Sequence, residues 1–365
     1  MEAIARIDKA SLNPEGYAMN NFARNRLDFS SRMFHLGAEF NAKVGDIWSA
    51  VGPRQLLGDE IDDDDPGGGK GMRLETGGKR SFVPALGKIV WELPEALAAR
   101  VPFSACIYQV RDGRPIGYVR VPHYTHDEGA VNVFAELIAR FENATAALVL
   151  DQVDNPGGSM FHMYAILSSL TDRALILPQH QLALNEDDAA IASDTVALAE
   201  AGEAVPSDER PSPELVAYSR FVLSEIEAGR WRGRLTNPVH LGGVTEILPA
   251  KNHYTKKIVV LINALDFSAA EFLAAILQDN KKATLFGERT AGAGGCVRRL
   301  TFPKTFPSPL AIYHITLTWT VAWRTNGQPI ENIGVHPDVS YSITAEDIRS
   351  GYAGYRQALL ATIGA

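Results

Sequence analysis

Two cysteines, Cys106 and Cys296, are all that this chain of 365 residues carries. So few cannot build a disulfide framework or a four-ligand zinc site. Cys296 reads better as a small buried hydrophobe than as a reactive thiol. Positive charge is scarce too: 35 Lys and Arg face 43 Asp and Glu, a formal net charge of −8. Phosphate backbones are bound by concentrated basic surfaces, so a nucleic-acid partner is disfavoured. No apolar run reaches the roughly 20 residues that a membrane-spanning helix needs. The N-terminus, "MEAIARIDKASLNPEG", lacks the apolar centre of a signal peptide, so a secreted or periplasmic place would call for a longer precursor and the compartment stays open. The stretch "GGGKG" has the look of a phosphate loop, but Asp64 and Gly71 stand where that motif needs glycine and Ser or Thr. No internal repeat is found, and nothing in the chain calls for a cofactor or metal.

What is present suffices for a sizeable core. At 46% hydrophobic and this length, two units are expected rather than one. Residues 1–102 form an N-terminal region whose segment "LLGDEIDDDDPGGGKGMRLETGGKR" reads as a solvated loop or linker. From about Ser104 strands and helices alternate. "FSACIYQV" and "PIGYVRV", joined by "RDGR", predict a hairpin; "GAVNVFAELIARF" predicts an amphipathic helix. "AALVLDQV" and "KIVVLINAL" are continuous apolar runs of the kind buried on both faces of an α/β layer. Residues 179–243 are acidic, alanine-rich and helical in tone, an insertion between core elements; they could cover a groove, form a homodimer contact or do neither. Residues 103–345 make up the core, and 346–365 a C-terminal helix.

Three stretches end a buried strand in a turn that exposes backbone or a small polar group. In "LVLDQVDNPGGSM", Asn155-Pro156-Gly157-Gly158 forces a tight turn and lets backbone approach a ligand without a Cβ in the way. The N–H groups that follow suit a developing oxyanion. In "LDFSAAEF", Ser268 stands at a helix start. Ser268-Ala269-Ala270-Glu271 has the form of a capping box, serine hydroxyl to backbone N–H and glutamate reaching back; the same helix end would ease alkoxide character at that hydroxyl. The third stretch, "NGQPIENIGVHPDVSYSI", carries Glu331 in a turn-rich setting.

Taken together, "YTKKIVVLINALDFSAAEFLAAILQDNKKATLFGERTAGAGG", "DNPGG" upstream and "IENIGVHPD" downstream resemble the C-terminal processing (tail-specific) and tricorn-type serine peptidases. They look closest to the branch of the chlamydial protease-like activity factor. The resemblance covers about Phe103 to Val339. It implies a crotonase/ClpP-like β-α spiral core, with a small PDZ-like domain often ahead of it. Ser268 falls on the family nucleophile, and the N–H groups of Ala269, Gly157 and Gly158 fall on the oxyanion hole. The lysine of the family's Ser–Lys branch is replaced here by Ala293, which cannot take a proton. Glu331 matches the glutamate of the Ser-His-Glu branch, which orients a histidine and stabilises its charged form. Asp279, eleven residues after Ser268, lies about 16 Å further along the helix and is structural.

No stretch before Ser104 matches the family's histidine motif. His35 sits in a helix-like segment. His162 follows the Gly158 turn, and His123 and His126 border a family-like strand. The resemblance thus implies a serine endopeptidase acting on extended polypeptide through Ser268 and Glu331, with its histidine ahead of Met1. The alternative is a peptidase-like peptide-binding module that no longer cuts. An acyl-CoA enzyme on the same core is disfavoured, because it needs no serine delivered in this way. Either peptidase-like reading expects Gly158 beside Ser268, and Glu331 facing the same pocket with room for one imidazole.

Overall fold

The computed structural model describes residues 78–79, 81–125, 128–202, 210–301 and 314–364. Most of the expected PDZ-like N-terminal region 1–102, with the acidic Gly-rich loop up to residue 77 and His35, lies outside the described residues, as does His126; residues 88–92 of that region join the central sheet. In chain order the elements are β1 (Lys88–Glu92), β2 (Ser104–Gln109), β3 (Pro115–Arg120), α1 (Glu128–Ala144), β4 (Ala147–Asp151), α2 (Met160–Ser168) and β5 (Gln179–Leu182). There follow α3 (Glu186–Ala201), α4 (Pro213–Glu227), β6 (Lys257–Ile262), α5 (Ala269–Asp279) and β7 (Ala283–Gly287). The chain closes with β8 (Val297–Thr301), β9 (His314–Thr318), β10 (Thr320–Trp323), β11 (Val339–Ser340) and α6 (Ala353–Ile363).

A seven-stranded sheet in the order β1-β2-β3-β4-β6-β7-β11 forms the centre. The hairpin expected around "RDGR" is there, antiparallel, with Ser104 opposite Arg120. From β3 onward every pairing is parallel, β4 running beside β6 with Asp151 opposite Leu261. The apolar runs are continuous because both faces are covered. Leu148, Leu150, Ile258, Val260 and Ile262 pack against α1, α2 and α5, whereas Val149, Val259 and Leu261 point to the other face and meet Tyr355, Leu359 and Ile363 of α6. The architecture is a mixed α/β fold on a mostly parallel sheet.

Helix α5 is buried all round. Its residues from Ala269 to Leu277 are each at most 1% exposed, so the helix has no solvent face. Side chains such as Phe272, Leu273 and Ile276 each add roughly 1.5–3 kcal/mol from burial, which fixes the helix start rigidly at the end of β6. Residues 179–243 are not helical throughout. Their first four form β5, which pairs antiparallel with β10, His180 opposite Ala322, before α3 and α4 fold into a hairpin. The C-terminal segment contains a short helix, Ala345–Arg349, and then α6, separated by Gly351 and Tyr352 at φ 64° and 60°. No helix among the described residues is long and apolar enough to cross a membrane.

Candidate active site

The adjacent ends of β4 and β6 carry the two turns singled out in the sequence. After β4, the turn is organised by Asn155. Its Nδ2 donates to the Val121 carbonyl (2.9 Å) and its Oδ1 accepts from Gly157 N–H (2.8 Å). Gly157 and Gly158 have φ of 94° and 137°, values that L side chains rarely adopt. A Cβ on Gly157 would lie 2.7 Å from the Cβ of Ser268, and one on Gly158 would lie 2.6 Å from the Tyr124 backbone. Tyr124 brackets the turn, its N–H donating to Gly157 O (2.7 Å) and its carbonyl accepting from Ser159 N–H (3.0 Å). Ser159 then caps α2 by accepting from His162 N–H (3.3 Å). Since Gly157 N–H is taken by Asn155, Gly158 N–H is the donor of this turn that, among the described residues, meets no protein acceptor.

The second turn, Asn263–Phe267, is built on Asp266. Its fully buried carboxylate accepts from Asn155 N–H (3.1 Å), Gln152 Nε2 (3.2 Å) and Asn263 N–H (3.3 Å), tying the two turns together. Phe267 N–H adds a bond to Asn155 O (2.9 Å). Ser268 then takes φ 51° and ψ −120°, and its N–H donates to Ala293 O (3.0 Å). The expected capping box is not formed: the Ser268 side chain makes no cap hydrogen bond to α5. An ordinary cap residue has an extended backbone that turns its hydroxyl back over the helix; at positive φ the hydroxyl leaves the helix end instead. Glu271 is correspondingly turned elsewhere, accepting from the Thr290 hydroxyl (2.5 Å), Gly292 N–H (2.8 Å) and Ala293 N–H (2.5 Å). Ala269 is fully buried, and its N–H, like that of Gly158, has no protein acceptor among the described residues.

Glu331 is 8% exposed and lies over Gly295, where an added Cβ would approach its Oε2 to 2.8 Å. The neighbouring Asn332 donates its N–H to Gly292 O (2.7 Å), so the glutamate's segment is fastened to the loop that holds Ser268. Ala293, at the family lysine's place, is fully buried and contributes only backbone. Asp279 pairs with Arg324 (Nε–Oδ1 3.1 Å) at the far end of α5, away from Ser268. His123 accepts from Thr125 N–H through Nδ1 (3.2 Å), and His162 is half-buried in the first turn of α2. His180 stacks on Phe272 and bonds Thr320 (3.2 Å); burial lowers its pKa to about 3, so it stays neutral.

The carboxyls beneath the site feel the same burial. Asp266 is pushed well above the ordinary carboxylate range by desolvation, against the pull of its N–H donors. Burial raises Glu271 to about 7, with the negative charge of Glu331 adding to it. Arg120, 2% exposed, pairs with Asp151 (3.2 Å) and donates to the Val153 carbonyl just ahead of the first turn. Sequence reasoning found the turn at Asn155 but missed Gln152 and Asp266 as organisers. The bonds that join Gln152 and Asn155 to Asp266 span over a hundred residues, and only the asparagine of "DNPGG" carried a local signal.

The model of peptidase family S41 matches residues 115–341. A protein of Chlamydia trachomatis serovar D is 36% identical over 311 residues, 78% of this chain and 49% of its own length. The chain thus spans about half the length of the chlamydial relatives it matches. A carboxy-terminal-processing protease of Bartonella bacilliformis is 29% identical over 147 residues, 39% of this chain and 30% of that protein. Among solved structures, mature CPAF complexed with lactacystin is 34% identical with a TM-score of 0.70, over 80% of this chain and 59% of that one. A match over more than half of its residues, on a fold and at an identity that agree, places this chain in peptidase family S41.

Proposed function

We propose that the chain is the nucleophile-bearing part of a serine endopeptidase that cuts polypeptide substrates. The observation that carries this reading is the pair of uncommitted N–H groups, Gly158 and Ala269, on two turns that meet at Ser268. Ser268 Oγ attacks the substrate carbonyl, and the developing oxyanion takes up the two N–H groups; preorganised donors of this kind lower such barriers by several kcal/mol. Gly157 supports the turn rather than donating. Glu331 orients a histidine that takes the Ser268 proton and returns it to the leaving amine. Ala293 excludes lysine as the base, and His180 is locked away as a neutral, stacked ring. The histidine is assigned to a segment ahead of Met1, in keeping with relatives of which this chain spans about half. The substrate runs extended along the site, and the fold is the β-α spiral of crotonase type.

The test is fluorophosphonate labelling and casein cleavage by this chain, by a longer product including the preceding segment, and by Ser268→Ala in both. The longer product is expected to label and cut in a Ser268-dependent way. The short chain should be slower by roughly six orders of magnitude, the loss typical of a missing triad histidine. A longer product that binds casein but neither labels nor cuts would replace this reading with a peptide-binding module. Ser268-dependent cleavage by the short chain at full rate would move the base to an internal histidine, with His162 the first to replace.

A further inference from the structure

Glu271 is an ionisable group with no solvent contact, one turn into a helix that is otherwise apolar up to Gln278. It takes no part in the chemistry described above, and the cap that its sequence position suggested is absent. All three of its donors come from one loop: the Thr290 hydroxyl and Gly292 N–H on Oε2, and Ala293 N–H on Oε1. That loop reaches in two directions. Ala293 O receives Ser268 N–H (3.0 Å), while Gly292 O receives Asn332 N–H (2.7 Å), next to Glu331. Thr290 adds a second link to the same segment, its N–H donating to Val335 O (3.1 Å) and its hydroxyl accepting from Val335 N–H (2.7 Å). The loop has little slack, since a Cβ on Gly292 would stand 2.9 Å from the Asn332 backbone and one on Gly334 2.5 Å from Thr290 O.

We propose that Glu271 is a positioning residue of the site: its carboxylate holds the Thr290–Ala293 loop, and through that loop it sets both the Ser268 backbone and the segment carrying Glu331. The nucleophile and the acid arm come from parts of the chain some sixty residues apart, and this carboxylate is where they are brought into one frame. The inference rests on the Ser268–Glu331 reading for its functional meaning, whereas the mechanical coupling stands without it. A buried acceptor of three hydrogen bonds has an asymmetric effect: removing it strands every donor at once.

The experiment measures backbone hydrogen exchange by mass spectrometry on the full chain, wild type against Glu271→Gln and Thr290→Val, with their double variant. The amide of glutamine turns an N–H₂ toward an N–H donor and strands it. Exchange in 290–295 and in 331–335 is expected to speed up about tenfold or more, with β2 and α6 unchanged. Thr290→Val removes one donor of that contact and also the acceptor of Val335 N–H, so its effect on 291–295 is the one that reads the Glu271 contact, and it keeps the test valid if Glu271→Gln does not fold. The double variant should be no worse than the worse single by more than about threefold, as expected for one shared contact. In the longer, labelling product, Glu271→Gln should lower kcat with KM near wild type, and Glu271→Asp should restore part of it. Loosening confined to α5, or a fall in melting temperature with 331–335 unmoved, would overturn the proposal and leave Glu271 a purely structural residue. If wild type never labels yet the exchange pattern appears, the peptidase reading fails and the coupling stands.

Discussion

Ser268 occupies a backbone conformation that glycine adopts freely and serine only at a cost, and this can be weighed by comparing two substitutions rather than one. Ser268→Ala removes the hydroxyl and keeps the Cβ; Ser268→Gly removes both. At φ 51° and ψ −120° the Cβ is held where L residues are rarely found, at a cost of about 1–3 kcal/mol. Glycine at the same position gives up about 0.5–1 kcal/mol through the freedom it adds to the unfolded chain. The glycine variant is therefore expected to be more stable than the alanine variant by about 1 kcal/mol. For a chain of this length that is a rise in melting temperature of roughly 1–2 °C. Equilibrium urea unfolding of both, with matched slopes, resolves the difference. The expected order is shared with an ordinary helix N-cap, where glycine also exceeds alanine, so it is the reverse order that refutes the strain. An alanine variant equal to or more stable than the glycine variant would mean that Ser268 stores no strain, and that the turn owes its shape to its neighbours alone.

Gly157→Ala brings a methyl to 2.7 Å from both the Ser268 Cβ and Phe267 O at φ 94°, so it should abolish Ser268 labelling and cost at least about 2 kcal/mol; a variant that unfolds in urea like wild type and still labels would show that the two turns are further apart than described. The pH dependence of stability should carry the signature of Glu271. Its carboxyl is raised from 4.5 to about 7 in the fold, so the folded chain binds this proton more tightly than the unfolded one. Its contribution is then complete below about pH 4.5 and falls away as pH rises to about 7, a loss of roughly 3 kcal/mol relative to Glu271→Gln; parallel stability curves for the two proteins between pH 4.5 and 8 would place its pKa in the ordinary range.

Much of the sheet could be read from the chain. "LVLD" and "KIVVLI" are apolar without alternation, and the structure covers both of their faces. The turn chemistry of Asn155-Pro156-Gly157-Gly158 likewise shows in its residues, since only glycine suits the φ of the last two positions. The Ser268–Glu271 pair shows where such reading stops. The local pattern describes a cap, but a cap assumes extended backbone at the serine, and the turn out of β6 imposes the opposite sign of φ. What Glu271 binds instead lies 19 to 22 residues downstream, and no local rule points there. The strand of "QHQL" escaped notice because it is polar in every second place and its partner lies about 140 residues away in β10. Asp266 reads as a loop aspartate until its donors are traced to Asn155 and Gln152.

Arg120 sets a boundary that strand assignments alone would misplace. Its Nη1 serves Asp151 and Val153 under the first turn, but its Nε and Nη2 both donate to the carbonyl of Gly78 (3.2 and 3.1 Å), which lies well ahead of β1. A version of the chain trimmed to begin at its first strand would look intact on a topology diagram, yet would leave half of a buried guanidinium fork facing nothing. Each stranded donor costs about 1–3 kcal/mol, more on a charged group, and the strain would be delivered to the Asp151–Val153 backbone that leads into Gly158. The shortest version that keeps its site in order therefore starts no later than Gly78, and the segment ahead of the sheet belongs to the working part of the molecule rather than to its lead-in.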